Sequence, residues 1–187
     1  MLKKVLKDKR LFKFLEKVDA EIAETAQAAG CKHCRNILHH GNYERKPRGG
    51  PEWDKRYSFC CADEGCRKRT TPASVRFLGR KVYAGLVIVL ISAMMHGLSR
   101  GRMNRLRESL GISERTLIRW RAWWQEVFSA SGFWKVERSR FMPGLAAERL
   151  PLSLVEVFDA KQCEGLVKLM RFLSPITVPT RKEVAGM

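Results

Sequence analysis

The apolar residues Leu2, Val5, Leu6, Phe12, Leu15, Val18 and Ile22 recur at helical spacing, with lysines between them. That pattern predicts an amphipathic helix over residues 1–29, which Gly30 ends. Residues 31–78 hold no helical period and are rich in Cys, Pro, Gly and charge. Within them "KPRGGPEWD" (46–54) reads as a loop. "KRYSFCC" (55–61) reads as a short strand with Tyr57 and Phe59 on one face. From Val82 to Ser99, 18 residues carry no formal charge, counting His96 as neutral. That is the lower limit of a membrane span, but the stretch contains Gly85, Ser92, His96 and Gly97 and both its ends are basic. A helix apolar all round also serves as the centre of a small bundle, and the helices that follow need such a centre. A buried helix is therefore expected, and integral membrane insertion is not. Farther on, Leu154, Val155, Phe158, Leu166, Leu169, Met170 and Leu173 predict one or two amphipathic helices ended by Pro175.

Charge changes the picture. Lys and Arg number 36 against 19 Asp and Glu, a formal net charge of +17. A compact chain so charged repels itself unless a polyanion offsets it. Nucleic acid is the first partner this implies and an anionic membrane surface the second. The excess is concentrated: thirteen Lys/Arg against five Asp/Glu in residues 32–81, and ten against four in residues 100–140. The first residues hold no uninterrupted apolar core and no small-residue cleavage site, so no secretory signal is recognised and a cytoplasmic location is expected. In that compartment cysteines pair with metal more often than with each other.

Cys31-Lys-His-Cys34 is a C-x2-C pair, and Cys60-Cys61 with Cys66 supplies a second. Tetrahedral Zn²⁺ takes four soft ligands, and two short-spaced pairs brought together by a hairpin provide them. Each turn then presents two thiolates about 3.5–4 Å apart. Gly65 is expected to give the second turn its backbone freedom. Either Cys60 or Cys61 can be the third ligand; Tyr57, Phe59 and Cys61 share one strand parity, which favours Cys61. His33, His39 and His40 are alternative ligands. No βαβ pattern surrounds Cys31 and Cys34, as a redox dithiol would require. Cys163 stands alone and reads as a small core residue. The expected site is thus Cys31, Cys34, Cys61 and Cys66 around a structural Zn²⁺, closed by four protein ligands and offering no catalytic position. Arg67-Lys68-Arg69 follows at once and suits a phosphate backbone.

In "MNRLRESLGISERTLIRWRAWWQEVF" (103–128), Gly111 separates two helical patterns. Leu106, Leu110, Ile112, Leu117 and Trp120 have the spacing of two helices that cross tightly and share a small core. Ser113 is a good N-cap for the second helix. Leu117, Trp120, Trp124 and Phe128 share one face of it, leaving Arg115, Thr116 and Arg119 on the other side near its N-terminus. A recognition helix meets base edges there. Arg100, Arg102, Arg105 and Arg121 suit phosphates. An ordinary helical hairpin with a solvated basic face is the plainer alternative.

The order of these modules carries a resemblance. A C-x2-C pair, a long loop, "RYSFCCADEGC", an Arg/Lys run and a three-helix unit ending "GISERTLIRWRAWW" follow one another. This resembles the N-terminal DNA-binding part of bacterial insertion-sequence transposases, a zinc ribbon followed by a helix-turn-helix. It is also similar to a group of small bacterial zinc-ribbon, helix-turn-helix proteins that share Cys60-Cys61, Glu64-Gly65-Cys66-Arg67, Arg69, Thr71-Pro72, Ser74 to Arg80 and Val82-Tyr83. The resemblance covers residues 31–128. Arg107 departs from it, standing where such units carry a small residue. The transposases also have a large RNase-H-like domain with three metal-binding acids. After the helix-turn-helix pattern this sequence offers only Glu137, Glu148, Glu156, Asp159, Glu164 and Glu183.

The expected fold is mainly α with a small β zinc ribbon. It comprises an N-terminal helix (1–30), the ribbon (31–78), a three-helix helix-turn-helix domain (79–130) and a C-terminal helical extension (131–187). The expected function is non-catalytic binding of double-stranded DNA, as a transcriptional regulator or as an accessory of a mobile element with a partner protein of that element. An RNA-binding zinc ribbon and a truncated or split transposase or nuclease are the alternatives.

Overall fold

Seven α-helices and five short strands form the computed structural model, which describes residues 8–50, 55–78, 83–97, 99–141 and 145–178. Several expectations lie outside these residues: Leu2, Val5 and Leu6 of the first helix, 51–54 of the loop, 79–82 and Leu98 of the apolar stretch, and Glu183. The chain divides into two units, the described residues of Met1–Val87 with those of Met170–Met187, and Ile88–Leu169.

Helix α1 (Lys9–Ala28) starts where the Asp8 carboxylate accepts the N–H groups of Arg10 and Leu11, at 2.9 and 3.3 Å. This satisfies two of the four donors that a helix start leaves free. It ends at Gly30, whose φ of 71° an L-residue adopts only at a cost. Leu11, Leu15, Val18 and Ala23 are buried, with Phe12 and Ile22 half-buried beside them. The fifth buried residue on this face is an acid, Asp19.

Asp19 is held by the segment after the cysteines. Its carboxylate accepts from Ser74 Oγ at 2.6 Å, Val75 N–H at 2.6 Å and Arg76 Nε at 2.8 Å. Arg76 Nη2 reaches on to the Lys55 carbonyl at 2.7 Å, and its guanidinium lies over the rings of Tyr57 and Phe77. Ser74 N–H donates to Thr177 Oγ1 at 2.9 Å, so the end of the described chain joins the same network. Every oxygen and nitrogen taken from water here finds a partner, the condition under which buried charge is tolerated.

The strands are β1 (Leu38–His40), β2 (Tyr43–Glu44), β3 (Lys55–Arg56), β4 (Phe59–Cys61) and β5 (Arg69–Thr70). β1, β4 and β5 form an antiparallel sheet with β4 central, and β2 pairs with β3 apart from it. Leu38 faces Cys61, and His39 faces Cys60. Period-2 alternation buries Phe59 and Cys61 and leaves Cys60 half-buried on the other face. The expected strand over 55–61 is interrupted at Tyr57 and Ser58, and there the parity changes: Arg56 and Ser58 are buried and Tyr57 half-buried. Arg56 is turned inward because its guanidinium bonds the carbonyls of Pro72 and Ala73. Burial lowers its pKa, and Asp19 partly offsets that.

The apolar stretch forms α2 (Gly85–Met94), with every residue from Ala84 to Ala93 buried. Among the described residues no helix is long and apolar enough to cross a membrane. Farther along come α3 (Arg100–Leu110), α4 (Glu114–Ala122), a π-helical turn Trp123–Phe128, α5 (Gly132–Glu137), α6 (Leu152–Val157) and α7 (Cys163–Leu173). The second unit has an aromatic core, in which Phe128 lies 4.9 Å from Trp124 and 5.3 Å from Trp134 between ring centres. Trp123, which cannot share the face of Trp124, packs edge-on against it at 4.8 Å.

Near the start of α7 the helix meets the backbone of residues 158–159 with no room for a side chain. A Cβ on Gly165 would stand 2.0 Å from the Phe158 carbonyl oxygen and 2.4 Å from that of Asp159. Gly165→Ala is therefore expected to destabilise the protein by about 3 kcal/mol, although Ala favours a helix by about 1 kcal/mol over Gly. Urea titration measures this, and an unchanged or higher midpoint would refute the close approach. Cys163, expected in the core, is exposed at the first position of α7, ahead of the buried Leu166 and Leu169.

Candidate metal centre and basic helix

The two cysteine pairs sit on two turns of similar construction. In the first, Arg35 N–H donates to the Cys31 carbonyl at 2.8 Å and Cys31 N–H to the Asn36 carbonyl at 2.9 Å. In the second, the N–H groups of Cys66 and Arg67 both donate to the Asp63 carbonyl, and Cys61 N–H to the Lys68 carbonyl at 3.0 Å. Each turn reverses at the residue after its second cysteine. Arg35 has φ 63° and Arg67 φ 42°, both left-handed. Gly65, expected to supply this freedom, is not in the left-handed region; the bonds to Asp63 move the reversal two residues on. A bond from Ala62 N–H to the Ile37 carbonyl at 2.9 Å ties the second turn to the start of β1.

These turns bring Cys31, Cys34, Cys61 and Cys66 together, with all four sulfurs within 4.8 Å of one another. Sγ–Sγ distances are 3.7 Å for Cys31–Cys66 and 3.3 Å for Cys34–Cys61. A tetrahedral ion with metal–sulfur bonds of about 2.3 Å needs sulfurs about 3.8 Å apart. The four cysteines can therefore hold a metal ion. Cys60 stays outside the group, its sulfur 3.6 Å from the Arg67 carbonyl. His33, His39 and His40 are exposed and outside it too, and the His40 ring lies tilted against Phe59 at 5.3 Å instead.

The cluster is electrostatically uneven. Backbone N–H groups of His33 and Cys34 hold the Cys31 thiol down at about 6. Burial pushes Cys61 up to about 12. Cys66 is also raised: the Lys68 N–H lowers it, but burial and the thiols of Cys34 and Cys31 outweigh that. Four thiolates this close repel one another, and a divalent cation would remove the penalty by coordinating all of them.

No protein-family model, curated protein or solved structure matches this chain. Its chemistry is therefore read from its own residues.

Arg67, Lys68 and Arg69 are exposed immediately after the second turn. Arg67 makes only a 4.0 Å pair with Glu64, and Arg69 lies over the Tyr43 ring at 5.9 Å. The other basic residues singled out from sequence belong to the second unit. The side chain of Arg100 is outside the described set, and Arg102 and Arg105 are exposed on α3. Gly111, at φ 62°, ends α3 in the left-handed conformation, and Ser113 caps α4 by accepting Thr116 N–H at 3.3 Å. Ile112, Leu117, Trp120, Trp124 and Phe128 are buried, as their spacing predicts, while Leu110 is half-buried and the side chain of Leu106 lies outside the described set. Arg115, Arg119 and Arg121 are exposed, and with them Ile118 at 60%. Thr116 is half-buried, bonded to Ser113 and Arg119. Arg107 spans the turn and pairs with Glu114 at 2.9 Å, so a long side chain here ties the two helix ends together.

Sequence reasoning missed Asp19, although a signal was present. Leu15, Val18, Asp19 and Ile22 fall at i, i+3, i+4 and i+7, which puts one acid in the middle of an apolar stripe.

Proposed function

We propose that this protein is a non-catalytic DNA-binding protein with a structural zinc ion, acting as a transcriptional regulator or as a mobile-element accessory. The observation that carries the reading is the exposed row of Arg115, Ile118 and Arg119 on a capped helix whose opposite face, Leu117 and Trp120, is buried. Arginine bonds guanine bidentately, and an apolar side chain contacts the thymine methyl. Arg102, Arg105 and Arg121 supply phosphate contacts, which position a protein without reading sequence.

Zinc fits the cysteine group because a closed set of four thiolates suits that ion and leaves no position for water or substrate. Bound there, zinc would supply cross-linking rather than catalysis. Cys31, Cys34, Cys61 and Cys66 would hold it, and the Cys61–Cys66 turn would keep Arg67, Lys68 and Arg69 in one arrangement.

The test is binding to duplexes selected from a random library, compared with random duplex. Arg115→Ala and Arg119→Ala are each expected to weaken selected-duplex binding about 10- to 100-fold, with a much smaller loss on random duplex. Arg105→Ala should lower both alike and reduce the salt slope by about one. Equal losses on both duplexes for Arg115 and Arg119 would remove α4 as the reading helix.

A further inference from the structure

The three-stranded sheet has two faces of different chemistry. Leu38, Phe59, Cys61 and Thr70 are on its buried side, with the sulfur group. On the other side Cys60 of β4 stands between His39 of β1 and Arg69 of β5, each its direct cross-strand partner. Directly opposed residues point to the same face, so a ring, a thiol and a guanidinium form one row across the sheet. His39 and Arg69 are exposed and Cys60 is half-buried. Two strand spacings put the ends of the row about 10 Å apart, with only the short Cys60 side chain between them.

Both ends of this shallow face offer flat groups. Arg69 is held in place: its Nη1 donates to the Gly41 carbonyl at 3.4 Å, and its guanidinium lies over the Tyr43 ring at 5.9 Å. That ring is 39% exposed. The side chains of His39 and Lys68 bond no other group among the described residues. The surroundings are basic. In residues 31–41 and 58–70 five Lys/Arg stand against two acids, Asp63 and Glu64, both in the second cysteine turn.

The charge calls for a polyanion, and the flat groups decide which kind. In a duplex the base faces are covered by their neighbours, so a shallow sheet reaches little but phosphate. A single strand exposes base faces, which stack on His and Tyr rings and on Arg guanidinium planes. A membrane surface would instead require a broad apolar face beside the charges, and Ile37 and Tyr43 are the exposed large hydrophobic residues among the described residues 31–70.

We propose that this sheet face binds single-stranded nucleic acid, with bases stacked on His39, Tyr43 and Arg69 and phosphates held by Arg67 and Lys68. The inference shares those phosphate contacts with the DNA-binding reading above but does not depend on α4.

The probe is a fluorescent oligothymidylate of about twelve nucleotides, within the site sizes of small single-strand binders, titrated into the full metal-loaded chain and followed by anisotropy. The unaltered protein is expected to bind it at least tenfold tighter than an abasic strand of the same length, which carries the phosphates without the bases. His39→Ala and Tyr43→Ala should each weaken oligothymidylate about 5- to 100-fold and leave the abasic strand unaffected, while Tyr43→Phe keeps the affinity. Lys68→Ala should weaken both strands and lower the salt slope by about 0.7. Arg115→Ala and Arg119→Ala should change neither, so this site and the duplex-reading helix stand or fall separately. An oligouridylate in parallel tells RNA from DNA, and tenfold tighter binding of either one than of the abasic strand supports the site. Equal affinity of the unaltered protein for strands with and without bases would reduce the face to a phosphate contact and overturn the proposal. So would full affinity in both His39→Ala and Tyr43→Ala, with circular dichroism and metal content confirming that the variants are folded.

Discussion

Cys61→Ser is expected to abolish metal binding and to unfold the sheet around it, while Cys60→Ser leaves one metal ion per chain and the fold intact. The two residues are neighbours in sequence but lie on opposite faces of β4. Cys61 is buried within the sulfur group, and Cys60 is half-buried outside it. The sheet has strands of only two or three residues. Its small core is Ala23, Cys31, Leu38, Phe59 and Cys61, so two of the five buried side chains belong to the sulfur group that can hold a metal ion. Structural zinc contributes about 10–16 kcal/mol in small zinc modules, which rivals the 5–15 kcal/mol stability of a whole domain. Chelation by EDTA should therefore mimic Cys61→Ser. Elemental analysis of the purified variants, with far-ultraviolet circular dichroism, reads both outcomes. Retention of metal by Cys61→Ser together with its loss in Cys60→Ser would exchange the two assignments.

The second large effect belongs to Asp19. Asp19→Ala removes the acceptor for Ser74 Oγ, the Val75 N–H and Arg76 Nε together, and strands a guanidinium whose side chain is only 5% exposed. Removing one partner of a buried ion pair costs about 3–5 kcal/mol, because the other charge is left in a low-dielectric site. The double variant Asp19→Ala/Arg76→Met should recover part of that loss, since no stranded charge remains. Urea unfolding of the wild type, both single variants and the double variant gives the coupling energy. A loss below about 1 kcal/mol for Asp19→Ala would fall to the level of an exposed pair and remove this network as a major source of stability.

These two expectations rest on different kinds of legibility. The four sulfurs could be named from spacing, because C-x2-C and C-x4-C are short enough for one turn to set both ligands. The choice of Cys61 followed from strand parity, a strictly local rule that holds from Phe59 to Cys61. It fails at Arg56 and Ser58, where bonds to distant carbonyls and hydroxyls decide which way a side chain turns. The boundary at Gly111–Ser113 was legible for the same local reason. A left-handed glycine and a hydroxyl cap act within one helical turn.

β1 was not legible. Ile37 to His40 have no clear alternation, and the strand exists because β4 offers it partners about twenty residues away in sequence. The reversal at Arg67 rather than Gly65 likewise came from where the Asp63 carbonyl finds its donors, not from the residue with the most backbone freedom.

By itself, then, the sequence determined the helical periods, the helix stops and caps, the basic segments and the two short-spaced cysteine pairs, all of which depend on residues within a turn or a strand of one another. Only the tertiary structure decided that Asp19 binds Ser74, Val75 and Arg76, that Thr177 joins them, and that His39 and Arg69 flank Cys60 on one sheet face. The physical reason is separation along the chain. A buried charge or a short strand is stabilised by whatever packing brings beside it, and no local pattern records which distant group that will be.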